Sequence, residues 1–277
     1  MGLISSGACV KGAYMGLLQQ KRGLVLGVAN ERSLACAIAR AARAEGAELV
    51  ITYQSDRFAR FVAPIAESLR CRAIACDLGV DQQIEALVQA LKAEWDSIDF
   101  VVHAVAFADA QEMQGGLLKV SRSGFCQSLD ASVYSLIAIT RALEPLLNGA
   151  AAPSILTLSH EGSRRAVPGY CTMGVAKAAL ESTVRYLAAE LGPRGIRVNA
   201  LSPGPVKTLS AAAIRGLRTM LKHVAEQAPL RRNIDGEDVG RAALYLLSDL
   251  GRATTGEVIR VDNGYHLIGA PSLTEEA

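Results

Sequence analysis

The chain has 277 residues, half of them hydrophobic and a fifth charged, with a formal net charge of +2. This length supports a large core, and so small a positive excess gives no ground for a nucleic-acid partner. Every long apolar stretch is cut by Arg, Glu, Asp or Gly, so none reaches the roughly 18 residues of a membrane helix and no membrane association is expected.

The globular pattern begins after Met15. Met1-Gly2-Leu3-Ile4 is echoed by Met15-Gly16-Leu17-Leu18, and residues 1–14 lack a basic n-region and a long apolar segment. They read as a disordered extension rather than a signal peptide, ahead of one domain over 15–277. From Arg22 onward, short apolar runs alternate with amphipathic ones. Leu24–Ala29 is a buried strand running into a turn, and Leu34, Ile38 and Ala41 recur at helical spacing up to Gly46. Strands follow at Ala47–Tyr53, Arg72–Cys76 and Ile98–Ala104, separated by helices around Phe58–Leu69 and Ile84–Leu91. The second half continues with a long helix over Ser121–Leu147 and a strand at Ser154–Ser159. A helix over Pro168–Leu191 is stopped by Gly192-Pro193, and a strand at Ile196–Leu201 follows. A helix at Asp238–Leu247 and a strand at Glu257–Val261 end the series. Such alternation, with apolar strands, predicts an α/β fold: a doubly wound parallel sheet with helices on both faces. The interval Lys207–Pro229 lacks a strand and reads as a helical substrate lid, spanning about 207–229, inserted near the strand ends.

The six cysteines, Cys9, Cys36, Cys71, Cys76, Cys126 and Cys171, form no Cys-x-x-Cys pair. They read as free thiols in a reducing, cytoplasmic setting, and no metal site is expected. Cys171 has no nearby histidine in sequence to make it a nucleophile.

In a doubly wound sheet, ligands bind beyond the carboxyl ends of the strands. The first turn there is Gly27-Val28-Ala29-Asn30-Glu31-Arg32-Ser33-Leu34. Gly27 allows close backbone approach, and the helix start with the Ser33 hydroxyl can hold a pyrophosphate. A glycine ending a strand is also an ordinary tight-turn residue. The second strand ends at Tyr53-Gln54, where Gln54 can bond a ribose hydroxyl but brings no charge for a 2′-phosphate, although Arg57 lies three residues on. NADH is therefore expected over NADPH. Asp77, at the end of the third strand, reads either as an adenine contact or as a turn carboxylate.

Tyr170 and Lys177 stand seven residues apart. On one helix that spacing puts both on one face, and an adjacent ammonium lowers a phenol's pKa, making Tyr170 a proton donor near neutral pH. The plainer alternative is an aromatic and a solvated lysine on an exposed helix face.

Several stretches together carry a resemblance: Gly23–Leu34, Val102-His103-Ala104-Val105-Ala106-Phe107-Ala108, Tyr170–Lys177, Arg197–Thr208 and Ala228-Pro229-Leu230-Arg231-Arg232. From Met15 to about Gly269 the chain resembles the short-chain dehydrogenase/reductase superfamily. Within it, the chain is similar to the bacterial enoyl-acyl-carrier-protein reductases of fatty-acid biosynthesis. The glycine-to-serine turn Gly27–Ser33 is the branch-specific part. The resemblance implies a Rossmann fold and NADH-dependent reduction of the trans-2 double bond of an enoyl thioester. It also implies acyl-carrier protein as the partner that brings the substrate, and a homotetramer. By position, it places Gly27, Val28, Ala29, Ser33 and Leu34 at the pyrophosphate and Asp77 and Leu78 at the adenine. Val105 falls beside the nicotinamide and Ala108 at the acyl group. Val206, Thr208 and Ser210 close over the carboxamide and phosphates. Lys177 binds the nicotinamide ribose, and Tyr170 polarises the thioester carbonyl.

The chain departs from the family pattern where His160, ten residues before Tyr170, replaces a second tyrosine. A neutral imidazole can still donate a hydrogen bond, so His160 is a catalytic candidate, although a histidine at a strand end is often structural. Asn263 also stands where the family has glycine. Two other functions remain open: a carbonyl reductase using Thr157, thirteen residues before Tyr170, or a silent NAD-binding relative. Lys207, Arg215, Arg218, Lys222, Arg231 and Arg232 read either as a basic face for an acidic carrier or as ordinary solvated charges.

Overall fold

The apolar runs become seven strands: β1 (Arg22–Leu26), β2 (Glu48–Tyr53), β3 (Arg72–Ala75), β4 (Phe100–His103), β5 (Ser154–Leu158), β6 (Arg197–Pro203) and β7 (Val258–Val261). The structure is a computed structural model that describes residues 15–113, 115–208 and 216–270. The expected extension 1–14, the Ser210 contact, and Arg215 lie outside the described residues. All pairings are parallel, in the order β3-β2-β1-β4-β5-β6-β7. The order reverses between β1 and β4, which opens a crevice at their carboxyl ends. Residues of β1, β4, β5 and β6 are almost entirely buried, whereas β3 and β7 are partly exposed edges.

Helices cover both faces because their apolar residues recur at helical spacing. On one face, α1 (Leu34–Ala44), α2 (Asp56–Leu69) and α8 (Gly236–Leu247) pack through residues such as Ile38, Ile65 and Leu246. On the other face lie α3 (Asp81–Lys92), α5 (Ser135–Leu147) and α6 (Cys171–Leu191), which bury Leu87, Ile139 and Leu180. Phe100 is fully buried at the β1–β4 seam, where Gly23 leaves room for its ring; a Cβ there would fall 2.0 Å from Cζ. Any side chain at Gly23 would displace the buried Phe100 ring.

The expected long helix over 121–147 is instead three pieces: α4 (Arg122–Leu129), a π turn at Asp130–Tyr134, and α5. The wide turn carries the buried Ser132 to Phe107, whose N–H it accepts at 3.1 Å and whose carbonyl it donates to at 3.3 Å. That tertiary bond ties the loop after β4 to the helix, and local residue preferences do not encode it. The helix expected from Pro168 starts later, because Gly169 turns at φ +75° and Tyr170 is its N-cap. In the expected lid, α7 (Leu217–Gln227) is helical, while residues 209–215 lie outside the described set. Five cysteines are free thiols, and Cys9 is not described. No helix among the described residues is long and apolar enough to cross a membrane.

Candidate active site

A cleft of about 370 Å³ opens where the strand order reverses. Its floor is Gly27, at φ +88°, against the Ala104 carbonyl; a Cβ on Gly27 would stand 2.5 Å from that oxygen. Only glycine fits both the backbone conformation and the contact. Beside it α1 begins at Leu34, with Ser33 as N-cap. The Ser33 hydroxyl accepts from the Cys36 N–H at 3.3 Å and donates to the Asn30 carbonyl at 2.7 Å. Its proton is therefore committed to the turn. The N–H groups of Leu34 and Ala35, first in the helix and without intrahelical acceptors, are the donors left for an anion. This bare glycine floor and helix start fit a dinucleotide pyrophosphate.

The cleft also gathers Ala29, Val105, Ala108, His160, Tyr170, Lys177, Val206 and Thr208. Four of the anticipated residues are elsewhere. Val28 and Leu78 are buried in the two cores, so only their main chain can meet a ligand. Gln54 and Asp77 sit at the ends of β2 and β3, joined side chain to side chain at 3.1 Å, with Arg57 donating to Gln54 at 3.4 Å. Asp77 also accepts from the Gly79 N–H at 3.0 Å. Phe107, Met113, Met173, Leu217 and Met220 give the cleft an apolar wall that the motifs had not singled out. Helical spacing in α6 and α7 could have pointed to the last three.

Lys177 is 5 % exposed and donates to the Leu158 carbonyl at 2.7 Å. Burial lowers its pKa to about 8, with the Glu181 carboxylate acting in the opposite direction. The expected lowering of the Tyr170 pKa is corrected by the structure. Burial pushes the phenol well above its ordinary value, and no charge offsets it. Tyr170 is the N-cap of α6 rather than a residue within it, and Lys177 is not among the causes of its shift. No hydrogen bond joins the two side chains among the described residues. Tyr170 is thus a neutral donor.

His160 packs against Tyr170 with ring centroids 4.3 Å apart and planes tilted by 40°. Its Nδ1 accepts from the Gly162 N–H at 2.9 Å, which places the ring proton on Nε2. Burial, helped by Lys177, lowers its pKa to about 4. Gly162 has no room for a side chain, since a Cβ would lie 2.7 Å from the Tyr170 ring. Behind the cleft, His103 is fully buried between Thr157, at 3.0 Å, and Ser135, at 2.9 Å; burial, and then Lys177, lowers its pKa to about 3. Thr157 also donates to the His103 carbonyl at 3.1 Å and does not line the cleft. Its hydroxyl is not placed to serve a carbonyl substrate.

Two of the expected basic residues, Arg232 and Lys222, stand near acids. Arg232 is held by both oxygens of Asp238, at 2.8 and 3.2 Å, Arg231 donates to the Glu226 carbonyl, and Lys222 lies 3.8 Å from Glu226. Lys207 and Arg218 have no acidic partner among the described residues. No group of three or more His, Cys, Asp or Glu among the described residues could hold a metal.

A reversed-order parallel sheet with a glycine-floored cleft lined by Tyr170 and the buried Lys177 defines a dinucleotide-binding oxidoreductase. The family model for enoyl-(acyl carrier protein) reductase matches residues 27–266, and the chain belongs to that family. It is 47 % identical over 263 residues to the NADH enoyl-acyl-carrier-protein reductase of Aquifex aeolicus, covering 95 % of this chain and 97 % of that one. It is 48 % identical over 255 residues to enoyl-acyl-carrier-protein reductase (NADH) 1 of Rhizobium meliloti, covering 92 % and 93 % of the two chains. The crystal structure of the Anaplasma phagocytophilum reductase in complex with NAD superposes with a TM-score of 0.88 at 46 % identity, covering 94 % of this chain and 97 % of that one.

Proposed function

We propose that this protein reduces the trans-2 double bond of enoyl thioesters carried on acyl-carrier protein, using NADH, in fatty-acid biosynthesis. The observation that carries the reading is that Tyr170, a half-buried neutral phenol, lines the same cleft as the buried Lys177 and Gly27. NADH, when bound, supplies the hydride for the β-carbon of the enoyl group. Gly27 and the first N–H groups of α1 receive the pyrophosphate, and Gln54 and Asp77 receive the adenosine end. Lys177 holds the nicotinamide ribose. Phe107, Met113, Met173, Leu217 and Met220 keep water from the acyl chain, with Ala108 beside it.

As the double bond is reduced, negative charge develops on the thioester oxygen. The Tyr170 hydroxyl donates to that oxygen, and the donation strengthens as charge builds, which stabilises the transition state more than the ground state. A phenol with a raised pKa stays protonated and keeps this role. His160, with its proton on Nε2, is the second donor, standing in for the family tyrosine. The chain acts as a homotetramer in the cytoplasm. Val175 and Tyr186 are exposed eleven residues apart on α6, which puts them on one stripe suited to a helix-to-helix contact.

The test is NADH consumption on addition of crotonyl thioester. Loss of NADH absorbance is expected, and turnover of a ketone substrate instead would refute the reading. Binding of NADH with no turnover of any enoyl or keto thioester would favour a silent relative. Sedimentation of the purified protein checks the tetramer.

A further inference from the structure

One buried charge in the cleft's surroundings is not used by this mechanism. Glu181 is 8 % exposed and lies one turn beyond Lys177 on α6. Its Oε1 accepts from the Ser159 hydroxyl at 2.5 Å and from the Ser163 hydroxyl at 2.6 Å. Ser159 precedes His160, and Ser163 closes the short turn after it. Lys177 reaches the same segment from the preceding turn of the helix, through the Leu158 carbonyl at 2.7 Å. Two consecutive turns of α6 therefore fasten the stretch 158–163 that carries His160.

A carboxylate buried this deeply is costly unless it is paired and hydrogen-bonded. Its two bonds are to neutral hydroxyls, which satisfy lone pairs without neutralising charge. The buried positive charge on the same face is Lys177. The other titratable groups facing Lys177 are His103 from β4, His160 from the segment after β5, and Tyr170 at the start of α6. All three are neutral at ordinary pH, so Glu181 is the negative charge in that set.

We propose that Glu181 is a positioning residue of the reductase, whose buried carboxylate keeps Lys177 an ammonium while fastening the segment that presents His160. This inference rests on the reductase reading for its purpose, but its physical content concerns Lys177 alone. Burial by itself drives Lys177 toward the neutral amine, and Glu181 opposes that. A neutral amine would lose a charge-assisted hydrogen bond to the ribose and the attraction for the pyrophosphate.

The test is the pH dependence of NADH binding to the full-length protein, followed by fluorescence without any acyl substrate. In the wild type, affinity should fall as pH rises through about 8, where Lys177 loses its proton. Glu181→Gln keeps an acceptor oxygen for both serines but removes the charge. Its bend in affinity should move to lower pH by at least about half a unit, with binding at neutral pH several-fold weaker. Glu181→Asp keeps the charge, and its bend should stay at the wild-type position. Ser163→Ala keeps the carboxylate and loosens the segment, so it should lower kcat without moving the bend. An unshifted bend in Glu181→Gln overturns the proposal, as does a Glu181→Asp bend that moves as far as that of Glu181→Gln. If Glu181→Gln does not fold, Glu181→Met, which also removes the charge, takes its place: a bend moved to lower pH supports the proposal, and an unshifted bend overturns it. Failure of the wild type to reduce any enoyl thioester would remove the reductase reading and leave the Lys177 measurement standing.

Discussion

The buried His103 and the half-buried His160 predict a specific loss of stability in acid. His103 and His160 ordinarily titrate at 6.5, but burial, helped by Lys177, holds them at about 3 and about 4 in the folded chain. As pH falls below 6.5 the unfolded chain takes up a proton on each imidazole, while the folded chain does not until much lower pH. Stability contributed by the neutral rings is therefore complete above 6.5 and is lost from there down to about 4 for His160 and about 3 for His103. Relative to neutral pH, each ring costs about 2 kcal/mol at roughly pH 5, or about 4 kcal/mol for the pair. At about 2–4 °C per kcal/mol, Tm should drop by about 8–16 °C. The assay is thermal unfolding by circular dichroism near pH 7 and pH 5, on the wild type and on His103→Gln. The variant is expected to be less stable at neutral pH, because it disturbs the bonds to Thr157 and Ser135. Its deficit should shrink by about 2 kcal/mol in acid, since the variant no longer carries that imidazole. A wild-type Tm that stays level, or a deficit that is the same at both pH values, would show that these rings are not held neutral by the fold.

Three further outcomes test the site. Tyr170→Phe should cut kcat by about 100- to 1000-fold while NADH binding, measured by fluorescence, stays within about threefold of wild type, because in the proposed mechanism the phenol acts on the thioester oxygen. Gly27→Ala should lower stability by about 2–5 kcal/mol in urea unfolding and abolish measurable NADH binding, since the added methyl meets the Ala104 carbonyl at 2.5 Å in a backbone conformation closed to alanine. Ser132→Ala leaves the Phe107 N–H without its acceptor; it should cost about 1–3 kcal/mol and raise KM for the enoyl thioester more than Kd for NADH.

The sheet was legible from the alternation of apolar and amphipathic runs because buried parallel strands need little from distant residues beyond being apolar. The first turn was legible as well, since Gly27 carries both its conformation and its close contact in one residue type. What could not be read depended on partners far along the chain. The break at 130–134 exists because Ser132 meets Phe107, a pairing that helical periodicity does not reveal. The sign of the Tyr170 shift is hidden for a similar reason. Phase on a helix says which residues share a face, but not that one is the cap or how much of the phenol the site desolvates. Glu181 looked like any polar residue in an amphipathic helix until Ser159 and Ser163 arrived from another element. The basic residues of the lid region are visible as charges, whereas the pairing of Arg232 with Asp238 and of Lys222 with Glu226 is not.

Where Gly27 rests on the Ala104 carbonyl, the bottom of the cleft is polypeptide backbone from two neighbouring strands. Exchange of amino acids cannot deepen or fill that surface without breaking the sheet that makes it. Side chains can reshape only the walls, where His160, Phe107 and Met173 stand, so the floor offers the same backbone whatever the walls become.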